Sequence, residues 1–283
     1  MRILCLHGFG TSGDIFRSQT VSLRMALKSS SAAAGAGENI DFDFVNAPHD
    51  STPAAGIELF YNPPYYCFWK DDTVENIAAA QAWLDDLIAR KGPYDGVMMF
   101  SQGCVLGSSV LLHHQRQQTP PPFKFAIFIC GGPSLRFLEQ ELGFTVSPAA
   151  KELDQASRKA LQERAATAAI LAEGSQRWKD VKDLNLTSLT QSSISPDELA
   201  RQVTGPYQIT IPTVHVYGSK DPRYFAGLQL ANLCDPQVRR VYDHGGGHEI
   251  PRKEVVSSTI ASLIRWAVNT AKTTATTTTP NSS

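Results

Sequence analysis

The 283-residue chain lacks a surplus of either charge: 26 Lys plus Arg stand against 27 Asp plus Glu, a net charge of −1. Without a basic excess or a block of like charge, neither nucleic acid nor an anionic membrane surface is expected as a partner. No uncharged apolar run reaches the ~18 residues that a membrane span needs, so no membrane association is expected. The apolar start Ile3-Leu4-Cys5-Leu6 is too short for a signal peptide and stops at a turn, so it is expected to be a first strand. Cysteine is scarce: Cys5, Cys67, Cys104, Cys130 and Cys234 are odd in number, scattered and without a C-x-x-C pair. That pattern fits reduced, buried thiols in a cytoplasmic protein better than a disulfide framework or a zinc site. Internal repeats are also missing.

What is present is an alternation of strand-like and helix-like segments, which predicts a mainly parallel sheet with helices on both faces. The strand candidates are Arg2–Leu6, Asp41–Val45, Tyr94–Phe100, Phe125–Cys130, Thr213–Tyr217 and Val238–Tyr242. Ile77, Ala80, Leu84, Leu87 and Ile88 form one helical stripe. Val256, Ile260, Leu263, Ile264 and Ala267 form another, with Pro251 at its start and Glu254 in its first turn. Residues 1–269 are expected to make one domain. Within it, Ser134–Gly205, with an Ala-rich helical stretch near Lys151–Glu173, is a candidate insertion over the sheet edge, acting as a cap. The Thr-rich end, 270–283, is expected to be a disordered tail.

Three strand ends carry chemistry. The apolar run Tyr94–Phe100 leads into Ser101-Gln102-Gly103, the pattern of a tight strand-to-helix turn that exposes a serine hydroxyl. The alternative for Ser101 is a plain helix cap. Met99 stands where such elbows normally hold a small residue, because the turn is crowded. Asp221 lies just beyond the strand Thr213–Tyr217, and His248 follows the glycines of His244-Gly245-Gly246-Gly247. The order Ser101, Asp221, His248 suits a relay in which His248 takes the serine proton and Asp221 orients the imidazole. His244 and His248 have the spacing of a helical metal pair, but the three glycines between them argue against a helix and hence against a metal site. His113 and His114 belong to a polar helix end, and His215, inside a strand, is expected to be structural.

Gly8-Phe9-Gly10-Thr11-Ser12-Gly13 matches the dinucleotide-binding pattern G-x-G-x-x-G after a strand. The next strand candidate ends in Asn46 rather than in the acidic residue that pattern needs for a ribose. The favoured reading is an oxyanion loop, with the backbone N–H of Phe9 pairing with that of Gln102. Three function classes therefore stand: a serine hydrolase, a non-catalytic small-molecule-binding module on a hydrolase scaffold, and a dinucleotide-dependent oxidoreductase.

The motifs Leu6–Gly13, Phe100–Gly103, Gly218–Pro222 and Gly246–His248 together resemble the fungal serine hydrolase family, and the aromatic stretch Tyr66–Trp69 is similar to that family's. The resemblance covers most of residues 1–270. It implies an α/β-hydrolase fold and hydrolysis of an acyl ester or thioester through an acyl-enzyme, without cofactor or metal. It also implies a place in polyketide-type secondary metabolism, releasing an acyl chain from the carrier domain of a synthase. Aromatics of Ser51–Asp72 and parts of the insertion are candidates for an apolar acyl pocket, or for ordinary core.

Overall fold

The computed structural model describes residues 1–33, 39–174, 178, 195, 198 and 200–277. Its centre is a six-stranded sheet of β1 (Arg2–Leu6), β2 (Asp41–Val45), β5 (Gly96–Phe100), β6 (Phe125–Ile129), β9 (Thr213–Tyr217) and β10 (Arg239–Asp243). The spatial order is β10-β9-β6-β5-β1-β2, and every neighbouring pair is parallel. Two small antiparallel pairs lie outside it: β3 (His49–Asp50) with β4 (Tyr66–Cys67), and β7 (Thr145–Val146) with β8 (Val203–Thr204).

Alternation along the strands divides the core in two. Leu4, Leu6, Val97, Met99, Ala126 and Phe128 face one way, toward α3 (Val74–Lys91), α4 (Gln102–Gln117) and α8 (Tyr224–Asn232). Ile3, Cys5, Met98, Ile127, Val214 and Val216 face the other, toward α1 (Gly13–Gln19), α2 (Val21–Ala33) and α9 (Glu254–Thr277). The α3 stripe does what its period predicts: Ile77, Ala80, Leu84 and Leu87 are buried, and Thr73 caps the first turn by accepting from the Asn76 N–H. Among the described residues no helix is long and apolar enough to cross a membrane.

From β1 the chain passes to β2 on one side and later to β5 on the other. Such a reversal opens a crevice beyond the carboxyl ends of β1 and β5, where α/β sheets place their ligands. The loop at Gly8 and the turn at Ser101 both lie there.

Between β6 and β9 the chain builds α5 (Leu135–Gln140), β7, α6 (Pro148–Ala165), α7 (Thr167–Glu173) and β8. The Ala-rich stretch is thus two helices, broken where Ala166 leaves helical geometry. Ser147 caps α6 at the Ala150 N–H with Pro148 in the first turn, and Leu153 packs on Phe225 and Ala226 of α8. Most of 175–199 of the expected cap lies outside the described residues.

Two boundaries need correction. The last helix starts at Glu254, not at Pro251, and runs to Thr277. The tail from residue 270 is therefore helical through 277, and 278–283 lie outside the described residues. The apolar stripe explains the extension: it continues past Ala267 to Val268 and Ala271, which are buried in the same core as Leu27 of α2.

Candidate active site

Ser101 ends β5 and begins α4 with φ 51° and ψ −112°, a conformation that a side chain other than glycine adopts only under constraint. The constraint is steric. A Cβ on Gly103 would come within 2.5 Å of the Leu6 carbonyl oxygen, and one on Gly8 within 3.3 Å of the Ser101 Cβ. Glycine at both positions lets the elbow and the β1 loop touch. The expected crowding at Met99 is relieved from the next turn of α4: the Met99 sulfur occupies the space that a Cβ on Gly107 would need. Met99 is fully buried there. The Ser101 side chain makes no cap hydrogen bond, so the plain capping alternative is not what the hydroxyl does.

It meets His248 instead. Ser101 Oγ lies 3.0 Å from His248 Nε2, and His248 Nδ1 lies 2.8 Å from Asp221 Oδ2. A carboxylate only accepts, so Nδ1 carries the imidazole proton and Nε2 is free to accept from the serine hydroxyl. Asp221 is 1% exposed, and its second oxygen accepts the Arg223 N–H at 2.7 Å. A Cβ on Gly218 would lie 2.1 Å from the Gly246 carbonyl, and Lys220 N donates to that same carbonyl. The acid turn and the histidine loop are thereby held backbone to backbone. The Phe100 ring sits 5.3 Å from the His248 ring. Burial, with Asp221 adding to it, pushes the Cys130 thiol well above its ordinary pKa. As a protonated donor it reaches the Glu249 carbonyl at 3.4 Å, next to His248.

The β1 loop is organised by a second, fully buried histidine. His7 Nε2 accepts the Ala47 N–H at 3.0 Å, which leaves its proton on Nδ1, 2.7 Å from the Gly8 carbonyl. Burial lowers its pKa to about 4, so the ring is neutral at pH 7. Thr11 Oγ1 donates to the same carbonyl at 2.7 Å. Across a trans peptide the Phe9 N–H points opposite to that carbonyl, away from His7 and Thr11. Among the described residues no protein acceptor takes the amide N–H of Phe9 or of Gln102. The Gln102 side chain is itself pinned, accepting from Phe68 N at 3.0 Å and donating to the Trp69 carbonyl at 2.8 Å.

The arrangement can pass a serine proton to an imidazole backed by a buried carboxylate, beside two amide donors. It does not suit a dinucleotide. The Gly13 N–H, where a pyrophosphate would sit, is taken by the Asn46 side chain at 2.9 Å, and the Ile15 N–H by Ser12.

The other candidates do not join the relay. His244 turns its Nε2 toward Cys130 Sγ at 3.6 Å, and His215 is buried and stacked on Phe128. His113 and His114 bond to Gln117 and Thr119 on an exposed helix end. Of the aromatics proposed for a pocket, Phe68 and Trp69 are core, Phe68 stacking on His7, while Phe60 is exposed. Sequence reasoning missed the holding roles of His7, Thr11, Cys130 and Arg223. His7 and Thr11 lay inside a quoted motif, whereas no local pattern marks Cys130 or Arg223.

Comparison with known proteins gives the family and the fold. Residues 1–260 match the family model described as Serine hydrolase (FSH1). The esterase FPY3 of Fusarium mangiferae is 32% identical over 258 residues, covering 90% of this chain and 90% of the relative. The esterase alnB of Emericella nidulans is 28% identical over 282 residues, covering 94% and 96%. Among solved structures, an epoxide hydrolase from Bacillus megaterium in complex with an inhibitor superposes with a TM-score of 0.51 at 12% identity. That match covers 95% of this chain and 93% of the other, and it shows the α/β-hydrolase fold alone.

Proposed function

The chain belongs to the FSH1 serine hydrolase family, and from that premise we propose that it is an esterase or thioesterase acting through an acyl-enzyme on Ser101. The observation that carries the reading is the unbroken contact from Ser101 Oγ through His248 to Asp221, at 3.0 and 2.8 Å. In the first half-reaction the Ser101 oxygen attacks the acyl carbonyl while its proton passes to His248 Nε2. The oxyanion is held by the amide N–H of Phe9 and Gln102. Asp221 stabilises the imidazolium without taking the proton. On collapse the leaving group departs. An alcohol takes the proton from His248 as it departs; a thiol, with a reference pKa of about 8.5, can depart as thiolate and take that proton afterwards, so His248 is neutral again in either case. Water then attacks the acyl-Ser101 ester, its proton going to His248, and the acid is released with Ser101 restored.

The fine substrate in this proposal is an acyl chain on the carrier domain of a synthase in secondary metabolism. Its support is the named relatives together with the family resemblance of the motifs. The test is a panel of one acyl group on an oxygen ester, on a small free thiol and on a carrier domain. The proposal expects turnover of ester and thioester, lost by at least about 10⁴-fold in Ser101→Ala. It also expects a higher kcat/KM with the carrier than with the free thiol. No turnover of any of them by folded protein overturns the hydrolase reading; equal kcat/KM for carrier and free thiol removes the carrier domain as partner.

A further inference from the structure

The inserted helix α6 reaches the acid of the relay through a row of charges that the hydrolase chemistry does not by itself require. Arg223, two residues after Asp221, gives its main-chain N–H to Asp221 Oδ1 at 2.7 Å. Its guanidinium is buried against α6, 2.7 Å from the Asp154 carboxylate, and also donates to the Asp154 carbonyl at 3.0 Å and to Ser157 Oγ at 2.7 Å. The other Asp154 oxygen accepts from Arg158 Nε at 2.7 Å, and Arg158 reaches Asp72 Oδ2 at 3.2 Å. Signs alternate along the row: Asp72, Arg158, Asp154, Arg223, Asp221.

We infer that Asp154 is a positioning residue for the relay, fixing Arg223 and balancing its charge so that Asp221 serves His248. The inference rests on the serine-hydrolase reading above. Two physical arguments carry it. A buried guanidinium without its carboxylate is an uncompensated charge, and relaxing it would move the Arg223 main chain that orients Asp221. Burial would raise the Asp154 pKa, yet Arg223 and Arg158 together hold it below the usual carboxylate range, so it is ionised at neutral pH. Its negative charge therefore offsets two positive ones close to the acid. The apolar seam of Leu153 with Phe225 and Ala226 holds α6 in place beside them. Part of the segment expected to be a cap is on this account a strut.

Among the described residues, the charged or titratable groups around the His248 loop are Asp221 from the β9 turn, which His248 meets directly, Cys130 just past β6, which contacts His244 and the Glu249 carbonyl, and His244 and Glu249 of the loop itself. Arg223 faces Asp154 and Arg158 of α6 and Asp221 in its own turn. In Asp154→Asn, two arginines stand unbalanced near the relay and the His248 imidazolium is disfavoured. The acidic limb of kcat/KM is expected to move down by about 0.5 to 1 pH unit, with kcat lower by about three- to tenfold. In Arg158→Gln, which removes an outer positive charge and leaves the Asp154–Arg223 contact, the limb is expected to move up by a smaller amount. Opposite directions are a signature that a merely structural lesion does not produce. Limbs that stay put, or that move the same way in both variants, overturn the inference. If Asp154→Asn does not fold, an unmoved or lowered limb in Arg158→Gln still does so. Ser101→Ala in the same assay tests the hydrolase reading separately, since wild-type turnover abolished by that change leaves the reading standing whatever the two limbs do.

Discussion

Around Ser101 the chain is held mainly by close approach of glycines, Gly103 against the Leu6 carbonyl and Gly8 against the serine Cβ, with the Gly8 carbonyl tied down by the His7 and Thr11 side chains. Around Asp221 and His248 some main-chain contact remains, but side chains do more of the holding. Arg223 is seated on Asp154, the Cys130 thiol meets the Glu249 carbonyl, and Asp243 accepts from the N–H groups of Ser219 and Gly245. The serine side is a steric device and the acid–base side largely an electrostatic one. Damage to the first should be abrupt, because main-chain atoms cannot yield. Damage to the second should be graded and should depend on pH.

The sharpest way to break the comparison is Gly103→Val, whose Cβ would have to enter the space of the Leu6 carbonyl. Overpacking of this kind costs about 1–3 kcal/mol, and with the elbow displaced, labelling of Ser101 by a fluorophosphonate should slow by more than about 100-fold. Urea melts and labelling rates measure the two losses; a Val variant with wild-type values would refute the steric account.

Next comes acid. His7 is neutral when folded, its pKa near 4, but binds a proton near 6.5 when unfolded. The unfolded chain therefore takes up protons first, so this part of the stability is complete above about pH 6.5 and is lost as pH falls toward about 4. Between pH 7 and pH 5 the loss from His7 is about 2 kcal/mol. His215, lowered to about 3 by its burial, adds in the same direction. Denaturation of His7→Gln at both pH values should show a smaller difference than wild type.

Thr11→Val keeps the shape but removes one donor to the Gly8 carbonyl. The Phe9 peptide should be less firmly aimed, lowering kcat about tenfold with KM nearly unchanged. Initial rates over a range of ester concentrations measure the split. Smallest is Cys130→Ala, which loosens only one side of the histidine loop; about a threefold fall in kcat is expected, and a loss as large as that of Thr11→Val would mean that the thiol does more than brace.

This contrast also explains what could be seen in the chain before its fold. The serine side was legible because steric need writes itself as glycine at fixed spacing: Gly8, Gly10, Ser101, Gly103. The four inner strands were legible for a related reason, since parallel strands buried on both faces are largely apolar runs such as Phe125–Ile129, whereas the edge strands Asp41–Val45 and Arg239–Asp243 carry charges and are partly exposed. Asp221 and His248 showed through their position after strands and beside glycines. Their supports did not. Asp154 lies 67 residues before Asp221 on a helix whose charges look like any solvated face, and Cys130 looks like one more apolar position. Met99 looked like a fault because its remedy, Gly107, lies in the following helix rather than in the elbow itself. The tail misled for the opposite reason: its threonines mask a stripe that still reaches Ala271.

The central claim is that the hydroxyl of Ser101 is activated through His248, and covalent trapping addresses it most directly. Folded protein treated with a fluorophosphonate and mapped by peptide mass should carry one adduct, on Ser101. That adduct should be absent in Ser101→Ala and slower by orders of magnitude in His248→Ala. An unlabelled wild type, or an adduct that persists in Ser101→Ala, would contradict the account.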